Sequence, residues 1–192
     1  MAVLAIDPGN EETALVLWDG TVMLTKVYIP NREVKTYLNH YNILSHVEVV
    51  IIEMVSSYGA AVGQTIFDTC VWIGIFKEYL ENLNLPVHLV FRKTLKMHHC
   101  HSLRGINDGA VNSVLRDKYG EDNTIKKPNL VYWNDTVESL GGRKWMNGDL
   151  WAAFALATWY YEPKDSPVEN SKEKEKNKLS KSIYNESPLF ET

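Results

Sequence analysis

Val47-Glu48-Val49-Val50-Ile51-Ile52-Glu53 (residues 47–53) is the stretch that decides the fold. From Val49 to Ile52 the residues are apolar and β-branched with no polar alternation, the pattern of a strand covered on both faces. Such a strand belongs in a sheet with helices on each side. It ends at Glu53, and a carboxylate at that depth is rare without a partner.

Working outward, Val3–Ile6 is a short apolar run that stops at the turn signal Asp7-Pro8-Gly9. Thr13–Trp18 resumes with β-formers, Asp19-Gly20 is a strong hairpin cue, and Thr21–Ile29 reads as a third strand. Asn31 is placed to cap a helix in which Val34, Tyr37, Leu38 and Tyr41 recur at helical spacing. Downstream, Thr65–Leu83 is helical and apolar nearly all the way round, so it needs cover on more than one side, from its own domain or from a partner subunit. Pro86–Phe91 reads as another buried strand, Asn107 or Asp108 opens a helix, Leu130–Trp133 is a last strand, and Gly148–Tyr161 is an apolar helix. A meander followed by alternating strands and helices predicts an α/β fold, a mixed sheet with helices on both faces.

The 192 residues are 45% hydrophobic and 23% charged, enough to bury a core in a single domain. The polar segment 163–192 carries six Lys and six acidic residues and reads as a disordered tail behind a domain spanning 1–162. No apolar run has the roughly 18 residues of a membrane span, and MAVLAIDPGN lacks the pattern of a signal peptide. Cys70 and Cys100 make no disulfide framework, so the expected setting is the cytoplasm. A net charge of −4 argues against nucleic-acid binding until it is divided. The domain retains 14 of the 20 basic residues, and eight of those lie between Arg92 and Lys127. An acidic domain with one basic sector suits an enzyme that holds metal with acids and phosphate with bases, although a solvated charged surface has the same composition.

Asp7, Glu53 and Asp149 stand at the ends of three elements, and residues at neighbouring strand ends of one sheet converge in space. Clustered carboxylates repel and are costly to bury, so a divalent cation is their natural partner; oxygen-only ligands favour Mg²⁺ or Mn²⁺. Two such ions about 4 Å apart activate a water and stabilise the leaving oxygen in phosphodiester cleavage. Taken singly, Asp7 reads better as a turn cap, Asp149 as a helix cap and Glu53 as a paired acid; the three together carry the metal reading.

The ordered series LAIDPGNEETALVLWD, the strand ending IEM, SSYGAAVGQTIFDTCVWIG, FRKTLKMHHC, NDGAVNSVLRDKYG, KKP and MNGDLWAAFALA resembles the RuvC-type Holliday junction resolvases of the RNase H-like superfamily, in the small form carried by phages. The resemblance covers most of 1–162. It implies an RNase H-like five-stranded mixed sheet and a metal-dependent, homodimeric endodeoxyribonuclease. Such an enzyme makes paired nicks in four-way DNA junctions, leaves 5′-phosphate and 3′-hydroxyl ends, and needs no small-molecule cofactor. The family's acids match Asp7, Glu53 and Asp149. The position that usually carries a further acid or His is Met146, so a fourth ligand is missing or comes from elsewhere; Asp108 is the candidate and Asn147 a weaker one.

Lys93, Lys96 and Arg104 should border the site and neutralise phosphate, with Lys126 and Lys127 as further candidates. Tyr58, in a polar loop beyond Glu53, resembles the aromatic that RuvC enzymes present to the junction centre, or packs under its own loop. Trp151 reads as core. His98, His99, Cys100 and His101 do not have zinc spacing, because adjacent residues do not all reach one tetrahedral ion and no second ligand pair is evident. Two other functions fit the same residues: an RNase H-like nuclease for other branched or hybrid nucleic acids, and a non-catalytic junction-binding protein.

Overall fold

A computed structural model describes residues 1–40, 42–56, 61–120, 146 and 148–163. Five strands form one sheet: β1 (Ala2–Pro8), β2 (Glu12–Trp18), β3 (Met23–Pro30), β4 (Val47–Met54) and β5 (Val87–Phe91), in the order β3-β2-β1-β4-β5. The β1–β2 and β2–β3 pairs are antiparallel, whereas β1–β4 and β4–β5 are parallel. The helices are α1 (Val34–His40), α2 (Gln64–Glu81), α3 (Arg92–Cys100), α4 (Asp108–Tyr119) and α5 (Gly148–Tyr161).

The period of two along the central strands sorts side chains to opposite faces. Val3 and Ala5 of β1, with Val49 and Ile51 of β4, pack in one core with Val111 and Leu115 of α4 and with Leu150, Phe154 and Ala157 of α5. Leu4, Ile6, Val50 and Ile52 face the other way, onto Tyr37 and Leu38 of α1 and Ile73, Phe76 and Leu80 of α2. The expected mixed sheet with helices on both faces is present. Leu130–Trp133, read as a strand, lies outside the described residues.

Several local expectations change. The first strand does not stop before Asp7; it runs through Pro8, and Asp7 is paired with Ala14. Asn31 does not cap a helix. It is buried, donating from Nδ2 to the Gly9 carbonyl (3.0 Å) and accepting from Thr13 Oγ1 (2.5 Å), which pins the β1–β2 turn to the end of β3. That turn needs Gly9, because a Cβ there would meet the Glu12 carbonyl oxygen at 2.7 Å. Asn107 is the N-cap of α4, its Oδ1 accepting from Ala110 N (2.9 Å), and this leaves Asp108 inside the first turn with its carboxylate available. β5 is an edge strand and not a buried one: Val90 is covered, while Leu89 and Phe91 are exposed. The helix α2 buries Thr69, Ile73, Phe76 and Leu80 but leaves Phe67 and Val71 57% and 59% exposed, so one of its two apolar faces has no cover among the described residues.

Trp18 of β2, Phe154 of α5 and Tyr119 of α4 meet edge to face, with ring centroids 5.0–5.7 Å apart. This cluster holds α5 and α4 on the sheet. Phe154→Ala is expected to cost about 3–5 kcal/mol through lost burial and a residual cavity, read as a lowered urea midpoint; a loss under about 1 kcal/mol would contradict this packing.

Candidate metal and nucleic-acid site

Asp7 follows Val3 and Ala5 on one face of β1, and Glu53 follows Val49 and Ile51 on the same face of β4. The register Ile6↔Ile52 makes the two acids neighbours at the carboxyl ends of parallel strands. Both continue the buried stripe, and the site is therefore two carboxylates set into the rim of a hydrophobic core: Asp7 is 9% exposed and Glu53 is 4%.

Next along the sheet, β5 ends at Phe91 opposite Met54, and Arg92 opens α3 directly after it. Its guanidinium binds three acids at once. Nε pairs with Glu53 Oε1, Nη1 with Asp108 Oδ2 (2.9 Å) and Nη2 with Asp7 Oδ2 (3.7 Å). Lys96, one turn along α3, pairs with Asp108 Oδ1 (3.2 Å) and donates to the Ile106 carbonyl (3.2 Å). Asp149, exposed in the first turn of α5, lies close enough for its charge to oppose ionisation of Asp7.

The electrostatics are unbalanced. Burial, and then the Glu53 charge, push the Asp7 carboxyl well above its usual range, with Arg92 offsetting only part of this. Burial also raises Glu53 against the opposing pull of Arg92. Burial alone would lower the guanidinium of Arg92, but Glu53 and Asp7 outweigh it and raise its affinity for the proton. At half-exposed Asp108 the burial effect is outweighed by Arg92 and Lys96, which hold its carboxyl low. Among the described residues, Arg92 and Lys96 are the cations paired with Asp7, Glu53 and Asp108.

Glu53 Oε2 is buried with no hydrogen-bond partner among the described residues. A buried carboxylate oxygen left unsatisfied is costly, and its neighbours are further oxygen donors. Hard divalent cations such as Mg²⁺ and Mn²⁺ take this kind of donor set, so the residues present fit such an ion. Glu53 and Asp108 line a cleft together with Arg92, Lys96, Asn112 and Gly148.

The structure therefore brings together Asp7, Glu53, Asp108 and Asp149, all four anticipated from sequence, and adds Arg92, which was not. The signal for Arg92 was its position: it directly follows a parallel strand, as Glu53 ends one. Lys93 is exposed beside it, and Arg104 is exposed in the loop between α3 and α4. Lys96 borders the cleft, as expected, with its ammonium directed to Asp108. Tyr58, Lys126, Lys127 and Asn147 lie outside the described residues. Met146 packs against the core beside α5, and Trp151 is buried in that core with the Arg116 guanidinium 5.0 Å from its ring centroid.

No family model and no curated protein sequence matches the chain. Solved structures do. A Thermus thermophilus RuvC in complex with a Holliday junction substrate superposes with a TM-score of 0.55 at 14% identity, covering 82% of this chain and 91% of that one. A second structure of Thermus thermophilus RuvC gives 0.55 at 15% identity, covering 82% and 92%. The yeast mitochondrial Holliday junction resolvase Ydc2 gives 0.49 at 16%, covering 83% and 76%. At these identities the likeness is one of fold: the chain has the RuvC-type, RNase H-like fold.

Arg92→Met should leave the acids without their counter-charge. The expected loss is about 2–3 kcal/mol in metal-free buffer, less than for a fully buried pair because the guanidinium is one-third exposed. Added Mn²⁺ should stabilise this variant more than wild type, as judged by thermal melts. A metal-free variant as stable as wild type would contradict the role given to Arg92.

Proposed function

We propose that this chain is a metal-dependent endonuclease that resolves four-way DNA junctions by paired nicks. The observation that supports it most is the convergence of Asp7, Glu53, Asp108 and Asp149 beside a basic helix, with one buried Glu53 oxygen that has no hydrogen-bond partner among the described residues. The fold agrees with the reading, because one protein of this fold has been captured on a Holliday junction substrate.

In this reading Asp7, Glu53 and Asp149 hold Mg²⁺ or Mn²⁺, two ions in each site, and Asp108 takes the place of the acid that is absent at Met146. Such ions, when bound, activate the attacking water and neutralise charge on the leaving 3′-oxygen, giving 5′-phosphate and 3′-hydroxyl ends. The chain's own residues do the rest. The hydrophobic floor under Asp7 and Glu53 fixes both carboxylates in one orientation and limits water around them. Lys93 and Arg104, exposed on α3 and the loop after it, contact backbone phosphate and set the strand's position without reading its sequence. In the same reading Lys126 and Lys127 are further phosphate contacts, and Tyr58 stacks on a base at the junction centre.

A four-way junction has two-fold symmetry, and paired nicks need two sites related in the same way. The apolar face of α2 that the described residues leave exposed, with Phe67 and Val71 one turn apart, suits a homodimer interface. The two free cysteines, Cys70 and Cys100, agree with a cytoplasmic setting.

Incubating the protein with a synthetic four-way junction and Mg²⁺ or Mn²⁺, alongside linear duplex, fork and RNA–DNA hybrid, tests this function. Symmetric nicks in the junction alone are expected; equal cutting of linear duplex, or binding without cutting in either metal, would overturn it. Asp7→Asn should lower cleavage by more than about a hundredfold while junction binding persists. Lys93→Ala with Arg104→Ala should weaken binding and reduce the slope of log K against log salt by about 2; an unchanged slope removes these residues from the interface.

A further inference from the structure

A second cluster of donor side chains lies at the far ends of the helices that carry the acid site. His98 and His99 occupy the last turn of α3, and Glu162 directly follows α5, where its backbone N–H donates to the Thr158 carbonyl (3.0 Å). Sequence adjacency argues against two neighbouring histidines sharing one ion, but here both rings turn to the same carboxylate. His98 Nε2 is 2.9 Å from Glu162 Oε2 and His99 Nδ1 is 3.9 Å from it, and the two rings meet edge to face at 4.8 Å. All three donor atoms lie within 4.8 Å of one another.

The surroundings orient these donors. His99 Nε2 is 3.0 Å from the Ala155 carbonyl, which only accepts, so the ring proton sits on Nε2 and the Nδ1 lone pair is directed toward Glu162. A ring nitrogen fixed by a backbone carbonyl is the usual support of a metal-ligating histidine. Burial disfavours a second proton on His99. On the carboxylate, Tyr119 Oη donates to Oε1 (2.6 Å) and Lys118 Nζ pairs with the same oxygen (2.9 Å), so Oε2 is the oxygen turned to the two imidazoles. The side chains of His98, His99 and Glu162 are 9%, 1% and 15% exposed.

We propose that His98 Nε2, His99 Nδ1 and Glu162 Oε2 form a binding site for a zinc-class transition-metal ion, separate from the acid cluster. Two imidazoles and one carboxylate suit Zn²⁺ or its Co²⁺ surrogate, whereas the oxygen-only donors around Asp7 select hard cations. The ion ties the end of α3 to the end of α5, and Glu162 links both to Tyr119 at the end of α4. Those three helices begin with Arg92, Asp108 and the Gly148-Asp149 turn. The role is therefore structural: a clasp at one end that fixes where the helix starts present the acid-site residues at the other.

The test is binding of Zn²⁺ and Co²⁺ to chelator-treated full-length protein in excess Mg²⁺, by titration calorimetry and by the visible absorption of bound Co²⁺. One equivalent of Zn²⁺ is expected, together with Co²⁺ bands of low coordination number that Zn²⁺ removes and a raised melting temperature. Glu162→Gln and His98→Gln, which retain hydrogen-bonding groups, should each weaken Zn²⁺ binding by about a hundredfold or more, with circular dichroism confirming the fold. Asp7→Asn should bind Zn²⁺ as wild type does, so this site stands or falls apart from the proposed nuclease function. No Zn²⁺ or Co²⁺ binding, or equal binding in Glu162→Gln and His98→Gln, would overturn the proposal.

Discussion

The arrangement at the carboxyl ends of β1 and β4 follows from placing two carboxylates, Asp7 and Glu53, where the hydrophobic stripes of those strands run out. Their burial is enforced by strand geometry: with side chains alternating, the residues that follow Ala5 and Ile51 on the core face must enter that core's rim. Two acids so placed cannot both carry charge without a counter-ion. Arg92 supplies one positive charge to both and is shared with Asp108, and one Glu53 oxygen has no hydrogen-bond partner among the described residues. The same constraint that makes the site costly as a protein interior makes it a good receptor for a divalent cation.

Much of this was legible in the sequence, for reasons that can be named. The run Val49–Ile52 is too uniformly apolar for a half-exposed strand, and Glu53 interrupts it abruptly; Asp7 shares that logic through Asp-Pro-Gly. The apolar character of α2 on nearly all sides points to cover on more than one face, and among the described residues Phe67 and Val71 remain exposed. Asp108 could be picked out as a candidate fourth acid, because Met146 leaves a gap and Asp108 adjoins basic residues.

Other features depend on which elements become neighbours, and local pattern does not carry that information. β5 has the composition of a buried strand, yet its place at the sheet edge exposes Leu89 and Phe91. Arg92 was one cation among many in a basic stretch until the order β1-β4-β5 set it beside Glu53. Lys96 faced the same ambiguity and is directed inward, to Asp108. The donors at His98 and His99 lacked a partner in sequence because Glu162 lies more than sixty residues away and arrives only when α5 packs against α3.

The central claim is that Asp7, Glu53, Asp108 and Asp149 share divalent cations for which Arg92 is the stand-in. A crystal structure of the protein soaked in Mn²⁺, with anomalous difference maps, tests it most directly. Manganese peaks within coordination distance of Asp7 and Glu53, with the Arg92 guanidinium withdrawn from Glu53, are the result predicted. A well-ordered site with no anomalous density and the Arg92–Glu53 pair intact under saturating Mn²⁺ would contradict the account.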